Sequence, residues 1–331
     1  MTRVAVLGAG SWGTTFAKVL ADAGNEVELW ARRADFAEAV QRRRRNDDYL
    51  PGVVLPERVH AGGDLAAALE GADAVYLSVP SQQLRSLLAD VRPHLGAAAD
   101  AVSLMKGVEE GTGLRMSEVL AEGLSLPPHR IAVVSGPNLA GEIAREQPTA
   151  AVVAASSLDT AMRVAAMCTT RYFGTFVNTD VIGTEFGGVL KNLIAVATGI
   201  VIGVGYGDNT KASVLTRGLA EITAFAVAFG AQPETMSGLA GMGDLIATSE
   251  SPRSRNNRAG RLLGQGYTKD DVLRTMDQVA EGLASLDPVL ELAAARGVEM
   301  PICTQVAEVI AGRLDPRDLA PHTAAPVPVG E

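Results

Sequence analysis

Apolar and polar positions alternate with two different periods over the first half of the chain. Residues 3–7 and 26–30 have the short apolar or alternating pattern of strands, and the segment between them places its apolar residues on one helical face before Gly24. Further strands are predicted at residues 74–77, 101–104, 131–134 and 150–153, with helices at 82–88 and 115–122 among them. Strands that alternate with helices predict an α/β domain built on a mostly parallel, doubly wound sheet.

The pattern changes beyond about Val181, where long segments of Ala, Val, Ile and Leu at helical period replace the strands. One such helix is predicted at residues 284–296. We therefore expect a first domain over residues 1–180 and an all-α domain over residues 181–314. The tail, residues 315–331, contains four prolines and too little apolar surface to bury, so it is predicted to be disordered.

Composition and charge narrow the classes of function. The 331 residues suffice for two cores, which must consist of aliphatic side chains because 47% of the residues are hydrophobic and only 4% aromatic. The net charge of −9 would repel nucleic acid and anionic membranes, so neither is expected as the main partner. A local basic site for a small anion is compatible with this charge.

The cysteines and the most apolar stretch indicate the compartment. Cys168 and Cys303 are far apart in apolar surroundings, which fits a reducing cytosol better than a disulfide framework or a metal site. The N-terminus lacks the apolar run of a signal peptide, and the most apolar stretch, 193–206, is shorter than the ~20 residues of a membrane span. That stretch is interpreted as a buried helix, and we expect a cytoplasmic protein without integral membrane association.

A glycine-rich turn joins the first predicted strand to the first helix. Gly8, Gly10 and Gly13 form a Gly-x-Gly-x-x-Gly pattern, which permits a tight turn and close approach of the backbone to a pyrophosphate. The helix that starts near Ser11 would direct its free N–H groups at the phosphates. The strand and helix on either side favour a dinucleotide site over a purely structural glycine turn.

The end of the second predicted strand bears on the choice of dinucleotide. An NAD-specific site usually has an acidic residue there for the ribose 2′-hydroxyl, whereas this chain has Arg32 and Arg33. Two guanidinium groups can pair with a 2′-phosphate, so NADP(H) is expected to be accepted besides NAD(H). The alternative is that one or both arginines face solvent. The following run, 42–45, is interpreted as a solvated helix end or loop.

Reduction by a nicotinamide requires a group that stabilises the developing alkoxide, either a metal ion or a proton donor. The four histidines are scattered without ligand spacing and no cysteine cluster occurs, so zinc is disfavoured. Lys191 and Asn192 interrupt an otherwise apolar predicted helix, with no acidic residue three or four positions away from the lysine. Such a lysine either snorkels to solvent or occupies a polar cavity with a task.

Two further segments favour the second interpretation. Lys106 follows a predicted strand, at the carboxyl edge where doubly wound sheets bind ligands. Residues 251–258 combine three arginines with hydroxyl and amide donors, a composition suited to a substrate phosphate and equally to an exposed basic loop. Asp244 follows two glycines that allow close packing, so it could hold a lysine or a substrate hydroxyl. Lys191, Asp244 and Arg255 thus form a candidate substrate half-site.

Taken together, these motifs resemble a known family. Their order and approximate spacing, from residue 3 to about residue 312, are those of bacterial NAD(P)-dependent glycerol-3-phosphate dehydrogenases. The motifs are Gly8-x-Gly10-Ser11-x-Gly13, Met105-Lys106-Gly107, Ser135-Gly136-Pro137-Asn138-Leu139-Ala140, Lys191-Asn192, Gly241-x-Gly243-Asp244 and Ser254-Arg255-Asn256.

The resemblance implies a Rossmann-like N-terminal domain, an all-α C-terminal domain and reversible reduction of dihydroxyacetone phosphate to sn-glycerol 3-phosphate. It also implies a role at the head of glycerophospholipid synthesis and a homodimer. By the same resemblance, Lys191 is the catalytic acid/base, assisted by Lys106 and Asp244. The substrate contacts it implies are Lys106, Gly136, Asn138, Lys191, Asp244, Ser254, Arg255 and Asn256. The cofactor contacts it implies, besides the three glycines, are Ser11, Trp12, Arg32, Arg33, Lys106, Ala140, Arg255, Val279 and Glu281.

One residue departs from the family pattern, which usually has Ser or Thr where this chain has Asn138. Because an amide can also donate a hydrogen bond, we expect adjusted geometry and retained activity. Two other functions fit part of the sequence. A ketopantoate or 3-hydroxyacid reductase would bind a carboxylate at Arg255, and a catalytically silent dinucleotide sensor would have no need of the proton donor Lys191.

Overall fold

The computed structural model describes residues 2–252, 254–276 and 281–319 of the chain. The chain divides into two compact units, Met1–Glu185 and Phe186–Glu331. The first unit contains an eight-stranded sheet with flanking helices, and the described elements of the second unit are helical. The predicted fold class is therefore confirmed. The predicted domain bounds at residues 180 and 314 stay predictions.

The first unit alternates strands and helices along the chain, as the apolar pattern predicts. Its elements are β1 (Arg3–Leu7), α1 (Ser11–Asp22), β2 (Glu26–Trp30), α2 (Ala34–Arg43), β3 (Val59–Gly62), α3 (Leu65–Leu69), β4 (Ala74–Leu77), α4 (Leu84–Val91), β5 (Asp100–Ser103), α5 (Met116–Leu124), β6 (Ile131–Ser135), α6 (Ala140–Ile143), β7 (Thr149–Ala155), α7 (Leu158–Cys168) and β8 (Phe173–Asn178).

The sheet has the strand order β3-β2-β1-β4-β5-β6-β7-β8. All neighbouring strands are parallel except β6 and β7, which are antiparallel. The six strands predicted from apolar runs are the interior ones. The two strands that the pattern missed, β3 and β8, lie at the sheet edges and have only one fully buried residue each, so they lack a continuous apolar run.

The described helices of the second unit follow one another with short connections. They are α8 (Val181–Val204), α9 (Asp208–Ala228), α10 (Pro233–Ser237), α11 (Asp244–Glu250), α12 (Arg255–Gly264), α13 (Lys269–Thr275), α14 (Glu281–Ala295) and α15 (Pro301–Ile310), and a π-helical turn at Leu239–Gly243 precedes α11. A short 3₁₀ turn at Pro316–Asp318 continues ordered structure beyond the predicted domain end, and Leu319 is buried. The rest of the predicted tail lies outside the described residues.

Helix α8 is the longest apolar helix of the described chain. It is longer than the apolar stretch 193–206 and is sufficiently long and apolar to cross a membrane by composition alone. However, 83% of its most apolar 18-residue window is buried inside the protein, which is typical of a core helix. The stretch is thus part of a buried helix, as the sequence predicts.

Glycines let α8 and α12 cross with their backbones in contact. A Cβ at Gly199 would lie 2.2 Å from the carbonyl oxygen of Asn257, and a Cβ at Gly260 would lie 2.1 Å from that of Val196. Neither position can hold a side chain without displacing backbone. The close crossing brings the start of α12, which carries the Ser254-Arg255-Asn256 motif, next to the middle of α8.

Candidate active site

The turn between β1 and α1 is packed tightly against backbone at Gly8 and Gly13, whereas Gly10 faces open space. Gly8 has φ +115°, and a Cβ there would lie 2.3 Å from the carbonyl oxygen of Ser78. A Cβ at Gly13 would lie 1.9 Å from the oxygen of Gly8, whereas nothing lies within 4 Å of a Cβ at Gly10. The turn therefore leaves free space at the N-terminus of α1, where backbone N–H groups favour an anion.

A cavity of about 510 Å³ extends from this turn to the end of β2. Arg32 and Arg33 both line it, so the structure places the predicted arginines in the same cavity as the predicted glycines. The guanidinium carbon of Arg33 lies 4.8 Å from the ring centroid of Phe36, which in turn meets Tyr49 edge-on at 5.8 Å. An open cavity with a glycine floor and two cationic groups fits a dinucleotide that carries a ribose phosphate.

Phe36 and Tyr49 are cavity residues that the sequence analysis missed. Phe36 lies three positions beyond Arg33, a spacing that places both side chains on one helical face, so the sequence could have predicted their contact. Tyr49 lies in the connection between α2 and β3, and no pattern in the sequence indicates that it returns to Phe36.

The remaining first-unit candidates lie at the starts of α1 and α6 and near the end of β6. Ser11 and Trp12 begin α1, and the indole nitrogen of Trp12 is buried with no hydrogen-bond partner within residues 2–252, 254–276 and 281–319. The hydroxyl of Thr15 donates to the carbonyl oxygen of Ala140 at 3.3 Å, which holds the start of α6 against α1. A buried donor without a partner is typical of a site that a bound molecule completes.

Lys106 and Gly136, which the sequence analysis named separately, are in contact. The ammonium of Lys106 donates to the carbonyl oxygen of Gly136 at 3.1 Å, and Gly136 has φ +135°. Two residues further on, both polar atoms of the Asn138 amide are buried and have no hydrogen-bond partner in the described part of the chain. An unsatisfied buried polar group costs about 1–3 kcal/mol of stability, so the position of this amide is not explained by the stability of the first unit.

In the second unit, Lys191 is only 6% exposed and does not snorkel to solvent. Its Nζ donates to Oδ1 of Asp244 at 2.5 Å and to Oγ1 of Thr248 at 2.6 Å. The hydroxyl of Thr248 in turn donates to the same Oδ1 at 3.2 Å. The ammonium is thus held in a closed triangle by a buried carboxylate and a hydroxyl.

Glycines also explain how Asp244 reaches the lysine. A Cβ at Gly187 would lie 2.4 Å from the carbonyl oxygen of Ala240, so α8 touches the π-helical turn directly before Asp244. Within that turn, a Cβ at Gly241 would lie 2.0 Å from the oxygen of Met236. The two glycines of the Gly-x-Gly-Asp motif therefore do not have the same role, since a Cβ at Gly243 would come no closer than 3.6 Å to its nearest neighbour among the described residues.

A second polar group lies beside the lysine on α8. The Asn256 amide donates to Oδ1 of Asn192 at 2.8 Å, and its own Oδ1 accepts the backbone N–H of Gly282 at 2.9 Å. Ser254 caps α12, accepting the N–H of Asn257 at 3.2 Å, and Arg255 is the exposed first residue of that helix. The Ser254-Arg255-Asn256 motif therefore combines a helix N-terminus with a guanidinium, a donor set suited to phosphate.

The structure thus joins Lys191 to Asp244 and Asn192 to Asn256, and it adds Thr248, which the sequence analysis missed. Thr248 lies four positions after Asp244 on α11, a spacing that places both side chains on one face. Of the remaining candidates, Val279 lies outside the described residues. Glu281 begins α14, and its side chain is likewise outside them.

Comparisons with known proteins identify a family for both parts of the chain. Models of the N-terminus and the C-terminus of NAD-dependent glycerol-3-phosphate dehydrogenase match residues 3–161 and 180–321. The NAD(P)+ glycerol-3-phosphate dehydrogenase of Leifsonia xyli is 65% identical over 327 residues, which is 98% of this chain and 89% of that protein. The enzyme of Thermobifida fusca is 53% identical over 96% of this chain and 95% of its own length.

Solved structures give the same result. The crystal structure of glycerol-3-phosphate dehydrogenase from Coxiella burnetii has a TM-score of 0.90 and 37% identity over 96% of this chain and 97% of its own. A ketopantoate reductase from Ralstonia eutropha has a TM-score of 0.57 and 18% identity over 94% of this chain and 99% of its own, and it shares the fold alone. The resemblance inferred from the motifs is confirmed: the chain belongs to the family of NAD-dependent glycerol-3-phosphate dehydrogenases.

Proposed function

We propose that this chain interconverts dihydroxyacetone phosphate and sn-glycerol 3-phosphate, with Lys191 as the general acid/base. As a member of its family the chain is an oxidoreductase that uses NAD(H) or NADP(H). When bound, the reduced cofactor supplies a hydride to C2 of the ketone. The observation that carries the role of Lys191 is its burial in contact with Asp244 and Thr248.

In the direction of reduction, Lys191 donates a hydrogen bond to the ketone oxygen and gives up its proton to that oxygen as the alkoxide develops. The product hydroxyl holds the transferred proton, and the neutral amine regains a proton from solvent. Asp244 stabilises the ammonium form and, together with Thr248, fixes its direction. In the direction of oxidation the neutral amine accepts the hydroxyl proton.

The substrate phosphate is proposed to bind at the start of α12, through Arg255 and the polar residues beside it, Ser254 and Asn256. From the first unit, Lys106, Gly136 and Asn138 are proposed to contact the substrate. The unpaired amide of Asn138 supports this role, because a hydroxyl or phosphate oxygen would satisfy its donor. Phosphate binding would orient the ketone for proton transfer.

The cofactor is proposed to bind along the glycine turn, with its pyrophosphate at the N-terminus of α1 beside Ser11 and Trp12. Arg32 and Arg33 lie where they would pair with a 2′-phosphate, so NADPH should be accepted at least as readily as NADH. Lys106, Ala140, Arg255, Val279 and Glu281 are proposed as further contacts on the strength of the family resemblance.

The proposed function is tested with Lys191→Met. We expect this variant to bind NADPH with the affinity of the unmodified chain and to lose turnover of dihydroxyacetone phosphate by ~10³-fold or more, because the proton donor is removed. Absorbance at the nicotinamide band follows turnover, and tryptophan fluorescence follows binding. Lys211→Met is the matched control, since Lys211 makes surface ion pairs with Asp208 and Glu250.

Turnover of Lys191→Met near that of the unmodified chain would remove Lys191 from the mechanism. The same assay separates the rival functions. A ketopantoate reductase would consume ketopantoate and leave dihydroxyacetone phosphate unchanged, and a silent sensor would bind NADPH without turning over either compound.

The family resemblance also supports a homodimer that works in the cytoplasm without integral membrane association. Glycerol 3-phosphate made there would supply glycerophospholipid synthesis. We propose both points together with the catalytic function.

A further inference from the structure

A buried asparagine connects a distant loop to the glycine turn. Asn46 lies in the connection between α2 and β3 and is 1% exposed. Its Nδ2 donates to the carbonyl oxygen of Ala9 at 2.9 Å and to Oγ1 of Thr14 at 2.7 Å. Ala9 is the residue between the first two glycines of the turn, and Thr14 lies in the first turn of α1. The side-chain amide of Asn46 is therefore hydrogen-bonded both to the turn after β1 and to the first turn of α1.

The contact with Ala9 fixes more than one carbonyl group. In a trans peptide the N–H points opposite to the C=O of the same planar unit. When Asn46 holds the oxygen of Ala9, the N–H of Gly10 must point away from Asn46. Gly8 and Gly10 restrict the backbone very little themselves, so a turn with a glycine on each side of Ala9 needs an external constraint to keep one conformation.

The loop that carries Asn46 is itself firmly anchored. Arg44, in the left-handed region at φ 55°, donates to the carbonyl oxygens of Val59 and Pro56, and its own oxygen accepts the N–H of Leu55 at 2.8 Å. The run 42–45, which the sequence analysis interpreted as a solvated helix end or loop, thus contains a structural arginine. Asn46 lies two residues beyond Arg44, so these hydrogen bonds also hold Asn46 in place.

The stability of the fold does not account for this asparagine by itself. Oδ1 of Asn46 is buried and has no hydrogen-bond partner among the residues that the structure describes, which disfavours the folded state. A polar residue that is only partly satisfied in a core is expected where a function requires its remaining contacts.

We propose that Asn46 is a positioning residue for the dinucleotide, because it sets the orientation of the Ala9–Gly10 peptide and of the first turn of α1. The inference rests on the proposed dinucleotide site and goes beyond it, since Asn46 acts through the turn. It should govern cofactor affinity and leave the proton transfer at Lys191 unaffected.

The test compares Asn46→Ala and Asn46→Asp with Asn25→Ala. Asn46→Asp keeps the shape of the side chain. It replaces the amide nitrogen, which donates to Ala9 and Thr14, with a carboxylate oxygen that can only accept. Asn25 is the matched control: it is 5% exposed, and its Nδ2 donates to the oxygens of Leu20 and Met167, both at 2.7 Å, at the other end of α1. The readouts are the Kd for NADPH from tryptophan fluorescence, kcat at saturating NADPH, and the melting temperature.

We expect both Asn46 variants to raise the Kd for NADPH by about tenfold or more, with kcat changed by less than about twofold, because a displaced turn weakens binding without touching the reacting atoms. Asn25→Ala should lower the melting temperature by a similar amount and leave the Kd unchanged. A merely structural Asn46 would behave like Asn25.

The proposal is overturned if Asn46→Ala binds NADPH within a factor of about two of the unmodified chain, or if Asn25→Ala weakens binding equally. Should the Asn46 variants fail to fold, Thr14→Val removes one of the two contacts, and an unchanged Kd in that variant overturns the proposal in the same way. Failure of the unmodified chain to bind NADPH or NADH would instead remove the proposed function.

Discussion

At the scale of single residues, the site depends on polar groups that the fold buries together. The Lys191 and Asp244 side chains are 8% and 2% exposed, so their ion pair lies outside the reach of solvent screening. Loss of either partner would remove the opposite charge that offsets the burial of the other. Thr248 completes the arrangement, since its hydroxyl contacts both charged groups.

Replacement of Thr248 by valine should lower kcat by about tenfold, because a hydrogen bond to a charged group contributes about 1.5 kcal/mol and 1.4 kcal/mol corresponds to a factor of ten in rate. Valine keeps the shape and removes both contacts of the hydroxyl, so the ammonium loses its fixed direction. Steady-state kinetics with dihydroxyacetone phosphate measures the change. The KM for NADPH should stay constant.

The control for this prediction is Thr198→Val, which removes a buried hydroxyl on α8 that donates to the carbonyl oxygen of Ile194 at 2.9 Å. Equal kcat values for both variants would mean that the Thr248 hydroxyl has no part in directing Lys191.

Single residues also show what a sequence can and cannot predict. Lys191 and Asp244 were predictable because each interrupts an apolar or glycine-rich segment, where a charge has no structural use. Thr248 and Asn46 carry no such signal, since threonine and asparagine are common in helices and loops. Their importance depends on contacts with residues 57 and 37 positions away, which only the folded chain brings together.

At the scale of elements, buried strands were predictable and edge strands were not. The interior strands β1, β4 and β6 are apolar at almost every position because helices cover both faces of the sheet. The antiparallel pairing of β6 and β7 had no signal, because direction depends on the path of the chain and not on strand composition. The close crossing of α8 and α12 depends on glycines whose partners the sequence does not identify.

Glu221 on α9 provides an element-scale prediction, since it caps another helix. Its two carboxylate oxygens accept the N–H groups of Ile302 and Cys303 at 2.8 and 3.0 Å, at the start of α15. Burial raises the pKa of Glu221 above its ordinary value of 4.5, and the two backbone hydrogen bonds oppose this shift only in part.

A raised pKa means that the folded chain binds this proton more tightly than the unfolded chain does. The resulting contribution to stability is fully present below pH 4.5 and is lost as the pH rises through the folded-state pKa. The unfolding free energy of the unmodified chain, relative to Glu221→Gln, should therefore fall as the pH rises above 4.5.

Urea denaturation at several pH values measures this difference, with the exposed Glu234→Gln as a control for general effects of a lost carboxylate. If the difference in unfolding free energy between the unmodified chain and Glu221→Gln does not change with pH, then Glu221 has the same pKa in the folded and the unfolded chain.

At the scale of the whole molecule, two units of different construction share one chain, and the change of apolar period near residue 181 indicated this from the sequence. The observed division after Glu185 lies inside α8, where composition gives no signal. The net charge of −9 is opposite to what an anionic cofactor and substrate require. The proposed binding of both therefore depends on local cations, for which Arg32, Arg33 and Arg255 are the proposed groups, and not on the field of the whole molecule.

The two cysteines provide one thiol reporter in each unit, because Cys168 and Cys303 are both fully buried. Burial raises the pKa of Cys168 to about 12, so its thiol is both inaccessible and protonated in the folded chain. Cys168 belongs to the same apolar core as Val6 on β1 and Phe16 on α1, which support the glycine turn. We therefore expect an opening that exposes Cys168 to disturb the proposed dinucleotide site.

We accordingly expect NADPH to protect Cys168 from a thiol reagent. In a Cys303→Ser chain, with reclosing faster than labelling, NADPH at 100 times its Kd should slow the reaction about a hundredfold, because binding only to the closed form lowers the open population by that factor. Absorbance of the released thiolate follows the reaction, and inorganic phosphate at equal concentration controls for ionic effects. Equal rates with and without NADPH would mean that the core around Cys168 opens independently of the glycine turn, although Cys168, Val6 and Phe16 belong to one apolar core.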